Sequence, residues 1–203
     1  MQLKDAAKAF RRKVQMEKIG TAELMEQYAN GRRDFQQINL SEASLFEANL
    51  QGINLSGSNL CKIYLPYSNL SQANLQQAQL QAAELSDAKL YQTNLSQADL
   101  QNANLCRATL RRANLQGANL ENANLQGADL GNANLTGANL SNANLSSANL
   151  AKANLTDAQL SGTNLFRSQN VDLSNAQLDC STIYPDGHRP DYLPSGVKCE
   201  FED

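Results

Sequence analysis

The sequence predicts an all-β solenoid, and three observations predict it. Leucine occupies every fifth position from Leu40 to Leu165, with Phe35 one step earlier in the same phase, a run of 27 consecutive positions. Two residues before each stands Ala in 19 of the 27 cases, otherwise Ile, Ser or Thr, with Arg33 the one misfit. Asn, Asp, Gly and Ser crowd the positions between, as turns require. On an α-helix a step of five rotates by about 140°, which would scatter the leucines around the cylinder. On a continuous strand an odd spacing would send successive leucines to opposite faces. They share one interior only if the backbone bends once per repeat, the signature of a solenoid. The period alone leaves open how many repeats close one turn.

The tandem Ala-(Asn/Asp)-Leu-x-x units, most regular from Asn102 to Leu155, resemble those of the pentapeptide repeat family. The resemblance covers residues 33 to 167 without a break, then two further units out of phase. It implies a right-handed quadrilateral parallel β-helix with four repeats, about twenty residues, per coil. Leu and the small residue before it then face inward and the other three positions outward. On that template the run makes about seven coils, a rod of roughly 33 Å at ~4.8 Å per layer. The expected organisation is an N-terminal helical segment and cap over 1–31, the solenoid over 32–178, and a turn-rich C-terminal cap over 179–203.

In chain order, Leu3, Ala6, Ala7, Phe10 and Val14 follow helical spacing and predict a first helix over 3–19. Packing on the solenoid, a dimer contact and a solvated arm are all open for it. Gly20 breaks that helix and Thr21 is the expected N-cap of a second, in which Leu24, Met25 and Tyr28 share a face. Asn30-Gly31 stops it. The segment Glu23 to Leu40 is similar to the helical lead-in of such solenoids. In the early coils Ile38, Ile53 and Ile63 replace Ala, with Ser58 and Ser68 nearby. With four repeats per coil, Asn54, Asn74, Asn94, Asn114, Asn134 and Asn154 form one column, an amide ladder between layers. After Leu165 the phase slips, which predicts a bulge or loop over Phe166–Asn170 before Val171-Asp172-Leu173 and Ala176-Gln177-Leu178 resume. Pro185-Asp186-Gly187 is a turn signal, and the tail resembles those that close pentapeptide solenoids.

Composition bounds the chemistry. Residues 1–32 carry a charge of +3, residues 33–170 −1 and residues 171–203 −5. None of these approaches the charge density of a nucleic-acid binder. The longest apolar run is far short of a membrane span, and the Lys- and Arg-rich first twenty residues show no apolar segment of a signal peptide. The single histidine, His188, stands in a turn-rich tail with nothing to exclude water, so an exposed turn residue is its default reading. Cys180, His188 and Cys199 lack metal-ligand spacing. Cys180 and Cys199 are either a disulfide pinning the cap or two free thiols, as the compartment dictates. Cys61 and Cys106 follow core leucines, face outward, and fall on adjacent faces two coils apart, too far to bridge. Glu84 and Asp87 read as solvated charges on a convex surface, and no phosphate-binding glycine loop is present. The expectation is no enzyme activity and no cofactor or metal.

One exposed cluster is aromatic and basic. Tyr64, Pro66 and Tyr67 flank core Leu65, Tyr91 lies on the adjacent face, and Arg107, Arg111 and Arg112 follow one to two coils on. Arg111, twenty residues after Tyr91, is expected to stack over it. Tyr and Arg are favoured in binding hot spots, although such stacking can equally serve the solenoid wall. The expected function is a non-enzymatic scaffold offering flat, rigid faces to an unidentified protein partner, as a monomer or weak dimer without direct nucleic-acid binding or membrane insertion. The resemblance also implies a rival, family members that protect DNA gyrase by imitating duplex DNA; a metal protein or hydrolase is more remote. It further implies a bacterial, cyanobacterial-type source. The cytoplasm is the expected location, or the periplasm or thylakoid lumen if Cys180–Cys199 is oxidised.

Overall fold

A computed structural model describes residues 16–192 and 196–199. The first expected helix lies mostly outside these residues. Its last part is not helical: Glu17–Lys18 form strand β1, parallel to β2 at Ile38–Asn39. The reason is a core requirement. Lys18 pairs with Asn39, so Ile19 stands opposite Leu40 and is buried as a first, non-repeat core residue.

From Asp34 to Gln169 the chain repeats one step. Each residue before a core leucine forms a parallel bridge with the residue twenty later, as in Asn94↔Asn114↔Asn134. Four five-residue units therefore separate a residue from its neighbour in the next layer. The leucine amide donates across the layer, Leu115 N–H to Asn134 O at 2.7 Å, and the following polar amide reaches back, Asn134 N–H to Ala113 O at 2.9 Å. Between these bridges the chain turns. Ala118 N–H donates to Leu115 O at 3.0 Å, closing a four-residue turn whose third residue, Gly117, has φ +62°. Positive φ at that position alone defines a type II turn. The sequence supplies Gly or Asn there in many repeats, but Gln, Asp, Arg and Tyr67 adopt it too.

The interior is the leucine and small-residue column. Leu100, Leu120 and Leu140 are wholly buried and successive in one file. Where Ser or Thr replaces Ala, the hydroxyl needs a partner in a dry interior. Thr93 Oγ1 donates to Leu70 O at 2.7 Å, Thr163 Oγ1 to Leu140 O at 2.8 Å and Ser58 Oγ to Phe35 O at 3.2 Å. Ser68 Oγ, equally buried, has no hydrogen-bond partner.

The asparagine ladder runs as expected from Asn74 onto Asn54 through Asn134 onto Asn114, at 3.2–3.3 Å. Its last rung differs. Asn154 Nδ2 donates to Thr136 Oγ1 at 2.9 Å because that hydroxyl has taken Asn134 Oδ1 at 2.6 Å. Each ladder oxygen also accepts the amide two residues on, as Ser96 N–H to Asn94 Oδ1 at 3.1 Å, tying ladder and turn together.

At the start of the repeats, α1 spans Thr21–Ala29. Its N-cap is Gly20, not Thr21: Gly20 has extended φ and ψ, its carbonyl accepts Leu24 N–H, and no side chain caps the helix. Leu24 is fully buried, and Met25 and Tyr28 pack against the same core. Asn30 ends the helix and Gly31 follows at φ +96°, a conformation open to glycine. Arg33, the misfit among small residues, is exposed. Its guanidinium lies 3.8 Å from the Tyr28 ring centre and donates to Tyr28 O.

At the other end the slip falls later than expected. Gln169 still bridges Asn149, so Phe166–Gln169 remain in register; the break begins at Asn170. The next turn is short. Leu150 N–H reaches Gln169 O, nineteen residues on, whereas Leu160 N–H reaches Gln177 O, only seventeen on. Parallel bridging then continues past 178 to Asn164↔Ile183, and Thr182 Oγ1 donates to Leu160 O at 2.8 Å. Thr182-Ile183-Tyr184 thus stands where Ala-Asn-Leu would, extending the stack five residues beyond the expected boundary. A short antiparallel bridge, Tyr192↔Lys198, and the Cys180–Cys199 disulfide, with Cα atoms 5.4 Å apart, fold the tail back onto that end.

Candidate interaction surface

The exposed candidates are placed by the wall that carries Leu45, Leu65, Leu85 and Leu105. On it the residue just before each leucine lies flat in the bridge, and the two just after form the turn. Tyr64 bridges Ser44 and Glu84 through its backbone. Tyr67, Asp87 and Arg107 are the positive-φ turn residues of three successive layers, at φ +57° to +58°. Their side chains meet along the edge. Arg107 grips Asp87 with two bonds, Nε to Oδ1 at 2.8 Å and Nη2 to Oδ2 at 2.6 Å. That grip, helped by Tyr67, holds the Asp87 carboxyl below the usual carboxylate range and raises Arg107.

Two expectations need correction here. Pro66 is buried, not part of an exposed patch. It is the second residue of its turn, where a fixed φ suits proline, and stands in the column between Phe46 and Ser86. Arg111 occupies the position above Tyr91 in the next layer, but its guanidinium goes outward to Asp129 at 3.5 Å. Arg112 reaches Tyr91 instead, Nη1 to the hydroxyl at 3.2 Å. The cause is an attractive carboxylate one layer on for Arg111, which the Tyr91 ring cannot match. All three arginines therefore have partners.

The residue missed in the sequence is Phe46. It is 48% exposed, stacks on Tyr64 with centroids 6.2 Å apart, and meets Tyr67 edge-on at 5.9 Å. The signal was available: Phe46 is one layer before Pro66 in the same column. Together Phe46, Tyr64 and Tyr67 form an exposed aromatic triad beside a hollow of about 400 Å³ lined by Ala22, Met25, Leu45, Phe46 and Ala48.

The remaining candidates are dispersed. Asn104 Nδ2 donates to Glu84 Oε1 and Oε2 at 2.8 and 2.9 Å, and Glu84 does not meet Asp87 as an acid pair. Cys61 and Cys106 are unpaired, half-buried thiols; burial pushes Cys61 up, with its sulfur donating to Gln81 Oε1 at 2.8 Å. His188 is exposed, with Nδ1 against Asp186, and its ring centre is 4.9 Å from that of Tyr184. Among the described residues no three His, Cys, Asp or Glu side chains converge to hold a metal ion. Nor is any helix among them long and apolar enough to cross a membrane.

Four-repeat layers, leucine files and type II turns define a β-solenoid built from five-residue units. The family model for pentapeptide repeats matches in eight copies over 32–61, 65–97, 88–127 and 128–165, and the chain belongs to the pentapeptide repeat family. Proteins of this family fold as right-handed quadrilateral β-helices and are generally structural or interaction proteins. Similar solved structures include HetL, a pentapeptide repeat protein involved in heterocyst differentiation regulation from the cyanobacterium Nostoc sp. strain PCC 7120. It is 30% identical over 85% of this chain and 100% of that one, at a TM-score of 0.34. A second Nostoc pentapeptide repeat protein is 32% identical over 81% and 99%, at 0.33. QnrB1, a plasmid-mediated fluoroquinolone resistance protein, is 20% identical over 90% and 86%, at 0.31. No curated protein matches the chain.

Proposed function

We propose that this chain is a non-enzymatic scaffold: a right-handed, four-sided rod of about seven coils, closed by α1 at its head and by the disulfide-pinned segment at its tail. Its docking face for a protein partner is the mosaic of Phe46, Tyr64 and Tyr67 with Arg107, Arg111, Arg112 and Tyr91. The observation that carries this reading is the exposed aromatic triad grouped on one wall, since exposed aromatics grouped on a rigid support are what hot spots use. The arginines, held by Asp87, Asp129 and Tyr91, are pre-ordered and lose little rotamer freedom on docking. A DNA-imitating protector of gyrase needs a strongly negative rod, and the −1 of residues 33–170 supports the scaffold instead.

The disulfide favours an oxidising compartment, the periplasm or a lumen, over the cytoplasm. The test of the docking face is affinity capture from the native cell with the double variant Tyr67→Ala, Arg112→Glu. The expected result is loss of a partner that the unaltered protein retains, at an unchanged melting temperature. Retention of every captured partner ends the reading, as would protection of gyrase in a supercoiling assay.

A further inference from the structure

The wall that carries Leu70, Leu90, Leu110 and Leu130 is charged unlike the rest of the rod. Residues 33–170 sum to −1, yet within three successive layers of this wall Lys89, Arg107, Arg111 and Arg112 stand against only Asp87 and Asp129. That window carries +2, which leaves −3 for the other repeats. Parallel bridges run Asn69↔Lys89↔Thr109↔Asp129, so Lys89 stands in the middle of the wall. One layer on, Arg107 holds the turn that enters the wall and Arg112 the turn that leaves it, both at φ +57°.

The excess falls on two of the four cations. Arg107 is neutralised by Asp87 through two bonds, and Arg111 by Asp129 at 3.5 Å. Arg112 has only the uncharged Tyr91 hydroxyl, and among the described residues the Lys89 ammonium has no ion-pair or hydrogen-bond partner. Both side chains are exposed. A carboxylate fits the position of the repeat that Lys89 occupies, as Glu84, Asp99 and Asp129 show, but the neighbours of Lys89 in its column are the neutral Asn69 and Thr109. The charge is thus left open to an outside group. The aromatic triad stands in the two layers before, and the turn at Tyr67 leads straight into Asn69 on the same wall.

We infer that this wall takes an extended acidic segment of a protein partner, with carboxylates on Lys89 and Arg112 and an apolar or aromatic side chain on Phe46, Tyr64 and Tyr67. The inference rests on the docking face proposed above and adds Lys89 and the chemistry of the partner to it. An extended peptide advances ~3.3 Å per residue and the rod ~4.8 Å per layer, so the two layers from the middle of the triad to the middle of the cation pair match about three residues. The recognised segment therefore carries its acidic and apolar residues about that far apart. A nucleic acid fits the wall less well. Duplex phosphates follow one another every ~1.7 Å of axis and would run over Glu47 and Asp129 on either side of the two cations, whereas a peptide sets its carboxylates singly.

The test is binding of the full chain to an array of end-capped octapeptides in which Asp, Ser or Lys is paired with Phe or Ala at every separation. Binding is expected to be strongest for Asp with Phe about three residues apart. It should weaken as salt rises from ~0.1 M to ~1 M, where screening shrinks from ~10 Å to ~3 Å. The double variant Lys89→Glu, Arg112→Glu should bind the Asp octapeptides about tenfold less well and gain the Lys octapeptides. Lys89→Gln, with the residue that Gln79 already places at this position, should give a smaller loss in the same direction. Circular dichroism melting of each variant checks that it folds. Equal binding of acidic and basic octapeptides overturns the inference, as does an acidic preference that the double variant keeps. Binding of a labelled oligonucleotide that the double variant loses assigns the two cations to phosphate and overturns it too. A native partner lost with Tyr67→Ala but retained by Lys89→Glu removes this inference and leaves the docking face standing.

Discussion

Leu115 and Leu173 are the same residue in the same short motif, and the fold treats them differently. Leu115 is fully buried, with complete layers on both sides and the regular nineteen-residue reach from its amide to Asn134. Leu173 is only half-buried, in a turn two residues short of the others. What seals a leucine here is therefore the layer on each side of it rather than its own pentapeptide. Burial depends on the neighbours, as expected of an architecture in which each repeat contacts only adjacent repeats.

The largest effect that bears on this contrast is a cavity in each place. Leu115→Ala should lower the unfolding free energy by ~3–5 kcal/mol, the range for a leucine that cannot be replaced by collapse. Leu173→Ala should cost ~1 kcal/mol, having less area to lose. Urea midpoints measure both. Equal losses would mean that the short turn is packed as tightly as the middle of the rod.

Next in size is the disulfide. Its nineteen-residue separation puts its contribution at ~3 kcal/mol, and that contribution acts on the tail alone. Under reduction, limited proteolysis should cut first within 186–199 while the far-ultraviolet melting of the solenoid holds. A thiol titration of the unreduced, denatured protein should find Cys61 and Cys106 only. A reduced protein whose whole rod melts earlier would show that the tail supports the stack.

A smaller effect separates two polar residues at equivalent inner positions. Ser68→Ala should stabilise by ~1 kcal/mol, because its buried hydroxyl has no partner, whereas Thr93→Val should destabilise by about as much, losing the bond to Leu70 O. Chemical denaturation of the pair is the check.

The smallest effect is acid sensitivity of the tail. Burial opposes ionisation of Asp179, but the Ser161 and Ser181 hydroxyls and the Ser181 and Gly162 amides outweigh it and hold the group down to about 2. A carboxylate depressed on folding contributes stability that is present above its unfolded value and is lost as pH falls through the folded one. The attachment of residues 179–183 should thus hold at pH 5 and weaken between ~4 and ~2, seen as faster amide exchange there than in the central coils.

Much of this was legible in the sequence because a buried file tolerates few side chains: the Leu and Ala positions state the interior directly. The layer height was not, since a period of five is silent about how many bends close a turn, and the twenty-residue register came from the resemblance. Side-chain choices across layers were hidden for a different reason. Arg111 and Arg112 differ by one turn position, and only the location of Asp129 decides which reaches Tyr91. Pro66 stands at an outward position yet is buried, a difference from its exposed neighbours that the five-residue spacing does not carry. β1 is not legible because two exposed residues carry no alternation, and the helical spacing of Leu3 to Val14 leads directly into it. Phe46 is placed by the register but stands outside the tyrosine and arginine pattern.

The nineteen-residue reach of the leucine amides stacks one layer on the next. Through-hydrogen-bond coupling between the Leu115 amide nitrogen and the Asn134 carbonyl carbon, measured by nuclear magnetic resonance, reads that bond directly. A resolved coupling for this pair, and likewise for Leu95 with Asn114, is the predicted result. Coupling of Leu115 to a carbonyl at any other separation, or a Leu115 amide that exchanges at the rate of an open chain, would contradict it.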